Sequence, residues 1–275
     1  MKSLTFILII FGAFTIQAQS LQISSGYAHG KPEVLGTRSN SDGSNFSNEV
    51  ICGSLGSGID LDLVAGFEIC DFFEFILRGD CFSGFDQEVG ESTAIYAGDR
   101  YYNHDFMKYS RLSIGPGVRL NSGNKESKVR YFGEAGLKLP LYNNTRIRQI
   151  SESPFASQDV TIMRKDAFSP GMFFGLGASY ALNENLSLTG QLQGTAISGK
   201  TKSSKVTKVL ENGVEQDIST RTPYESSTNY TMKIDNNSNN AIFNQNYDTN
   251  MPKEELEMSN NYSSSGIVIG IQYKF

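Results

Sequence analysis

The sequence predicts an all-β protein, a closed antiparallel transmembrane β-barrel of eight strands, with ten as the alternative, and with long loops at one end. Two observations predict this. Apolar and polar residues alternate with period two in segments about as long as a tilted membrane strand needs, while helical periodicity is nearly absent after residue 18. The connections between these segments also alternate, short then long. Composition agrees, since 27 Gly and 11% aromatics suit many short strands. It also excludes other classes. With 24 basic and 29 acidic residues the formal charge is −5, which argues against nucleic-acid binding, and mean hydropathy of −0.31 excludes a helical membrane protein. The 275 residues fit one undivided all-β domain.

The N-terminus carries an address. Lys2 precedes a short apolar run from Leu4 to Ile16, followed by Gln17-Ala18-Gln19, the charged, apolar, small-residue order of a secretory signal peptide. A spanning helix wants about 20 apolar residues, so a retained anchor is the weaker reading. The expected organisation is a signal peptide at 1–18, cleaved after Ala18, and a barrel domain at 19–275. Cleavage removes one Lys and no acid, leaving 23 basic against 29 acidic residues, a charge of −6. The three cysteines predict no disulfide framework. Cys70 and Cys81 sit at opposite ends of one strand, roughly 36 Å apart at about 3.3 Å per residue. A Cys52 to Cys81 bridge remains open.

Eight strand segments follow in order. Leu21 to Tyr27 sets Leu21, Ile23 and Tyr27 against Gln22, Ser24 and Gly26. Gly58 to Ile69 sets Leu61, Leu63, Ala65, Phe67 and Ile69 against Asp60, Asp62, Gly66 and Glu68. Beyond the tight Cys70-Asp71 connection, Phe72 to Cys81 sets Phe73, Phe75 and Leu77 against Glu74, Arg78 and Asp80. Tyr109 to Leu120 opposes Leu112, Ile114, Val118 and Leu120 to Arg111, Ser113, Gly117 and Arg119, and includes Pro116, a residue usually confined to edges or bulges. After the breaker-rich Asn121 to Glu126, Val129 to Leu141 opposes Tyr131, Ala135, Leu137 and Leu139 to Arg130, Glu134 and Lys138. Gly171 to Leu182 and Leu186 to Gly199 are joined by Asn183-Glu184-Asn185, a hairpin-like turn, and Gly266 to Phe275 ends the chain.

Connections after the second, fourth and sixth segments are short. Those after the first, third, fifth and seventh run through about 30, 27, 29 and 66 residues, the asymmetry of a barrel with one rim of turns and one of loops. Within the last loop, Val206 to Leu210, Glu211-Asn212-Gly213 and Val214 to Ser219 read as a hairpin, because Asn-Gly supplies the positive φ angles of a type I′ turn. Asp235 to Asn250 is Asn-rich without apolar period and predicts no regular structure, while Pro252 to Met258 predicts one or two helical turns. Thr145 to Ser151 and Val160 to Arg164 extend the fifth and sixth segments beyond the membrane.

Alternation alone does not say which face is inside, and a secreted sandwich or lipocalin-like barrel gives much the same pattern. Loop asymmetry and strand length favour the membrane barrel. The C-terminus adds a third argument. Ile267, Ile269, Ile271, Tyr273 and Phe275 alternate with Val268, Gly270, Gln272 and Lys274, ending on Phe275. Here the chain resembles the bacterial outer-membrane β-barrel families, specifically the eight-stranded OmpA/OmpX type. The resemblance spans Leu21 to Phe275 as a pattern and is close over Ile267 to Phe275. It implies that Ile267, Ile269, Ile271, Tyr273 and Phe275 form the assembly signal read by the barrel-assembly machinery, and that the protein resides in the outer membrane. Pro116, the very long last loop and the absence of Trp depart from the family pattern, leaving Tyr and Phe to form any interfacial girdle.

The polar faces carry six acids, Asp60, Asp62, Glu68, Glu74, Asp80 and Glu134, and six bases, Arg78, Arg111, Arg119, Arg130, Lys138 and Lys274. Read as a lumen, this balance forms a charge network that fills a narrow barrel, because buried charges must be paired. Read as a solvated outer face, it is ordinary. No motif supports catalysis. His29 and His104, with Asp105 and Ser110 nearby in sequence, lack the spacing that would enforce a nucleophile, base and orienting group. Arg38 to Glu49 places Asn40, Asp42, Gly43 and Glu49 at EF-hand positions, but Arg38 occupies the first ligand position and amphipathic flanking helices are missing. Tyr101, Tyr102, Tyr224 and Tyr230 either anchor an extracellular partner or pack the loops.

The functional expectation is therefore a non-catalytic outer-membrane barrel with a side-chain-filled lumen, displaying loops for surface interaction or envelope integrity. Its expected partners are outer-membrane lipid, the assembly machinery during biogenesis and an extracellular ligand of unknown identity. It is expected to be a monomer, without nucleic acid, metal or cofactor. The alternative is a porin-like channel for small solutes. That requires the Val206 to Ser219 hairpin to join the wall, or lumen charges that leave it open. A lipid-modifying enzyme is a third, weaker reading.

Overall fold

The computed structural model describes residues 18–42, 45–96, 98–122 and 127–275. The apolar run of the expected signal peptide therefore lies outside the described residues, as do Gly43 of the EF-hand-like spacing and residues 123–126 of the expected turn. The strands are β1 (Ser20–Gly30), β2 (Glu33–Ser41), β3 (Phe46–Gly53), β4 (Gly58–Cys70), β5 (Phe73–Gly84), β6 (Gln87–Tyr96), β7 (Asp99–Asn121), β8 (Val129–Glu152) and β9 (Ser157–Asp166). They continue with β10 (Gly171–Ala181), β11 (Leu186–Ala196), β12 (Ser198–Glu211), β13 (Val214–Glu215), β14 (Ser227–Thr231), β15 (Lys253–Leu256), β16 (Ser259–Asn261) and β17 (Ser264–Lys274). Between β13 and β14 lie a short 3₁₀ turn, Ile218–Thr220, and one helical turn, Pro223–Ser226.

Eight strands close a ring in the order β1, β4, β5, β7, β8, β10, β11, β17 and back to β1, every pairing antiparallel. Each of the eight segments drawn from alternation corresponds to one of these staves. The seventh segment, predicted to run to Gly199, is shorter: β11 stops at Ala196, and the buried Ile197 separates it from β12. Because β1 pairs with both β4 and β17, the ring has no edge, and every stave has a neighbour on each side. Pro116 therefore stands inside a closed wall. Its register with Leu77 of β5 is unbroken, whereas the β7–β8 ladder passes from Ile114↔Leu139 directly to Gly117↔Gly136. The ten-stranded alternative is excluded, since β11 pairs directly with β17 and the β12 hairpin lies outside the ring.

The short connections fall on one rim. At the other rim the chain builds further sheet. β7 and β8 have 23 and 24 residues, roughly 75 Å at about 3.3 Å per residue, far more than a bilayer needs. Their upper halves seed an outer sheet ordered β3, β2, β6, β7, β8, β9, β12, β14, β15, with parallel steps at β2–β6 and β14–β15. Thr145 to Ser151 and Val160 to Arg164 are part of it, in β8 and β9.

The last loop corrects one expectation and refines two. Pro252 to Met258 is not helical: Lys253–Leu256 is a strand parallel to β14, which provides backbone partners that four isolated residues lack. The Asn212-Gly213 turn has φ of 50° and 79°, as a type I′ turn demands, but its second arm is only the two-residue β13, after which the chain enters the 3₁₀ turn. Asp235 to Asn250 has no helix or strand, yet its turns are tied by side chains. Asn239 Nδ2 donates to the carbonyls of Asp248, Met251 and Pro252 at 2.9, 3.1 and 2.9 Å. Cys52, Cys70 and Cys81 are all free and exposed, so the Cys52 to Cys81 bridge does not form.

Inward glycines make room for the large side chains inside. A Cβ on Gly136 would lie 2.5 Å from the Pro116 carbonyl oxygen and 2.6 Å from the Phe173 ring, whereas one on Gly190, which faces outward on β11, would meet nothing within 4 Å. Gly136→Val is therefore expected to destabilise the barrel by about 1–3 kcal/mol in denaturant unfolding followed by circular dichroism, and Gly190→Ala to leave stability unchanged or slightly raised.

Candidate functional site: the barrel interior and its stopper

Alternation places one face of each stave inside the ring. Asp60, Asp62, Glu74, Arg78, Asp80, Arg111, Arg119, Glu134 and Lys138 are all inward and at most 7% exposed. At the centre, the Glu134 carboxylate of β8 is shared by two arginines. Arg78 of β5 donates to Oε1, and Arg119 of β7 donates to Oε2 through Nη2 at 2.9 Å and Nε at 3.2 Å. Gln191 Nε2 of β11 also donates to Oε1, at 2.7 Å. Arg119 also donates to the side-chain Oε1 of Gln22 on β1 at 2.9 Å, and Arg78 to the side-chain Oε1 of Gln193 on β11 at 2.7 Å. Four of the eight staves thus meet at one carboxylate, and a fifth, β1, is tied in through Arg119.

A second cluster lies nearer the long-loop end. Asp80 accepts from Arg111 Nη2 at 2.9 Å and from Ser113 Oγ, and has Lys138 Nζ at 3.3 Å. Lys138 is also 3.8 Å from Asp60, and Asp62 faces Arg78 at 3.6 Å, within ion-pairing but not hydrogen-bonding range. The guanidinium faces are covered as well, with Arg78 over Phe173 at 4.5 Å, Arg119 over Phe132 at 4.7 Å and Arg111 over Phe82 at 5.3 Å.

Glu68, Arg130 and Lys274 are not enclosed. They stand at the short-turn mouth, Glu68 exposed and the other two half-buried, because their staves end there and no further layer covers them. They line a cavity of about 40 Å³ beside Glu74 and Arg119. Arg130 donates to the Asp71 carbonyl at 3.0 Å.

At the opposite mouth the charges give way to an apolar stopper. Ala28, Leu55, Phe82, Tyr109, Ile197 and Tyr262 form one buried cluster. Tyr262, carried on the connection between β16 and β17, stacks on Tyr109 with ring centroids 3.7 Å apart and planes within 5°. Its hydroxyl donates to Asp166 Oδ2 at 2.5 Å, and the buried Arg164 lies 3.9 Å from the same carboxylate. Tyr109 shares the parity of Arg111 and Arg119, so its inward position is readable from alternation. Tyr262 has no such signal, since it belongs to a loop. The glutamines of β11 were likewise legible as polar alternation but carry no charge to mark them.

The outer face is the reverse of the inner one. Ile23, Leu61, Leu120, Phe174, Leu176 and Leu192 are between 52% and 70% exposed, and the C-terminal residues Ile267, Ile269, Ile271, Tyr273 and Phe275 between 45% and 68%. The other residues singled out earlier do not assemble a catalytic or metal centre. Tyr102 and His104 Nδ1 are hydrogen-bonded at 2.7 Å, Asp105 points to the opposite strand face, and Ser110 is six positions along the same strand, roughly 20 Å away. His29 is exposed on β1. Arg38 pairs with Glu88 and Glu91, and Arg38 to Glu49 is the β2–β3 hairpin rather than a helix-flanked loop. Among the described residues no cluster of His, Cys, Asp and Glu is arranged to hold a metal. Tyr224 packs on Tyr247 at 4.6 Å and Tyr230 lies 3.4 Å from Ser204, while Tyr101 and Tyr102 are half-buried.

These features define the class: a closed eight-stranded antiparallel barrel with a charged, filled interior and an apolar exterior. No family model and no curated protein matches the chain. Among solved structures it is similar to one described as the crystal structure of Neisserial surface protein A, with 13% identity, a TM-score of 0.38, and coverage of 93% of this chain and 96% of that one. The strand pairing establishes the barrel without help from that likeness.

Two expectations follow for the interior. Glu134→Gln withdraws the charge shared by Arg78 and Arg119 and is expected to cost about 3–5 kcal/mol in denaturant unfolding. Combining it with Arg119→Gln is expected to cost less than the sum of the two single changes, a coupling that a double-mutant cycle measures.

Proposed function

We propose that this chain is a non-catalytic outer-membrane β-barrel protein. Its filled barrel acts as a platform holding structured loops outside the cell, for surface interaction or envelope integrity. The observation that carries this reading is the inversion of the barrel: charged side chains are enclosed and large apolar ones face outward around the staves. An aqueous barrel would bury that apolar face, and a contiguous exposed one marks a lipid or protein surface. Closure of the ring fits the same setting, because in hydrocarbon every backbone polar group must be satisfied within the wall.

In this reading residues 1–18 are a cleaved export signal, the short turns and both termini of the mature chain face the periplasm, and the outer sheet faces the exterior. Ile267, Ile269, Ile271, Tyr273 and Phe275 serve as the assembly signal and afterwards contact lipid. The protein acts as a monomer. The Arg78–Glu134–Arg119 centre and the Tyr109–Tyr262 stopper argue for a barrel closed to solutes, and for a structural rather than transport role.

The refolded protein is expected to require detergent or lipid, to migrate faster unheated than heated on gels, and to give no channel conductance in a planar bilayer. Reproducible conductance would sink the closed-barrel reading, and solubility without detergent would sink the membrane reading. Leu176→Arg, at the middle of β10 on the outward face, is expected to cost about 2–4 kcal/mol for a barrel refolded in lipid vesicles.

A further inference from the structure

Above the apolar belt, one face of the outer sheet mixes paired and unpaired charges: Arg38 holds Glu88 and Glu91, Arg146 holds Asp86 and Arg148 holds Asp159, while several lysines stand among them without a carboxylate. Strand register aligns Lys108 of β7, Arg146 of β8, Met163 of β9 and Lys205 of β12 in one row on the outward face. The adjacent row places Lys165 beside Asn144 and Ser203. Arg146, Lys165 and Lys205 are exposed and Lys108 is half-exposed. Lys108 and Arg146 stand directly opposite each other, a like-charge pairing that disfavours the sheet. Arg146 has Asp86 at 2.9 Å, but among the described residues Lys108, Lys165 and Lys205 make no ion pair.

The position of the patch indicates what it meets. On β8, Arg146 is four residues beyond Tyr142, which is outward and 48% exposed. Lys165 is three residues before Phe168, 67% exposed. The cations thus continue directly from the apolar surface, where the acyl region of a bilayer gives way to headgroups. We propose that Lys108, Arg146, Lys165 and Lys205 form a binding site for the phosphate groups of an anionic lipid headgroup in the outer leaflet. The inference rests on the outer-membrane reading. Arg146 presents a planar fork to phosphate oxygens, and the three lysines add mobile charge around it.

The test uses the full-length refolded protein in neutral detergent, with phosphatidic acid titrated against phosphatidylcholine and bound lipid counted by native mass spectrometry. Wild type is expected to take up phosphatidic acid at least about tenfold more tightly than phosphatidylcholine. The Lys108→Gln/Lys165→Gln/Lys205→Gln variant is expected to lose that preference while keeping its heat-dependent gel shift. A control, Lys31→Gln/Lys233→Gln/Lys253→Gln, removes the same charge elsewhere on the long-loop side and is expected to keep it. The proposal is overturned if the first variant binds like wild type, if the control loses as much, or if inorganic phosphate alone occupies the site and displaces the lipid. Solubility of wild type without detergent would instead remove the membrane reading beneath it.

Discussion

The Glu134 carboxylate holds the barrel interior together. Arg78 and Arg119 both close on it, Gln191 donates to it, and through the arginines' second bonds Gln22 and Gln193 are drawn in as well. An eight-stranded ring is only wide enough for its own side chains, so each buried charge must find its partner on another stave. That requirement sets the rest of the interior. Small residues such as Gly136 stand where Phe173 needs space, and aromatic rings cover the guanidinium faces that no carboxylate reaches.

The two mouths are finished differently. At the short-turn end Glu68, Arg130 and Lys274 open onto solvent and leave a cavity of water-sized dimensions, about 40 Å³. At the long-loop end the stacked Tyr109 and Tyr262 close the interior with apolar surface, anchored by the bond from Tyr262 to Asp166. The stopper depends on the outer sheet. Asp166 ends β9 and Tyr262 follows β16, and both elements pair with β12. The long connections are therefore structural members, and the stability of the upper barrel and the order of the outer sheet are two aspects of one packing arrangement.

Alternation made the staves legible because a strand's side chains have a period of exactly two residues, so eight segments, and the parity of Asp60, Arg78, Arg111 and Glu134, can be read without coordinates. It misjudged the ends. Glu68, Arg130 and Lys274 share the inward parity but lie where no further layer encloses them, and depth along a stave is not a periodic property. It also misjudged Pro252 to Met258, where local composition suggested a helical turn and pairing with β14 imposed a strand. For a segment this short, a neighbouring strand outweighs intrinsic preference.

The sequence by itself determined the all-β class, the eight staves, the asymmetry of the two rims and the charges destined for one face, since each depends on local order along the chain. Only the tertiary structure decided that the charged face is inside, that the ring closes at eight, that the long connections are sheet, and that Tyr262 stops the mouth. Those outcomes depend on which distant segments pair, as when β1 meets both β4 and β17 and Tyr262 meets Tyr109, and a local pattern carries no record of such contacts.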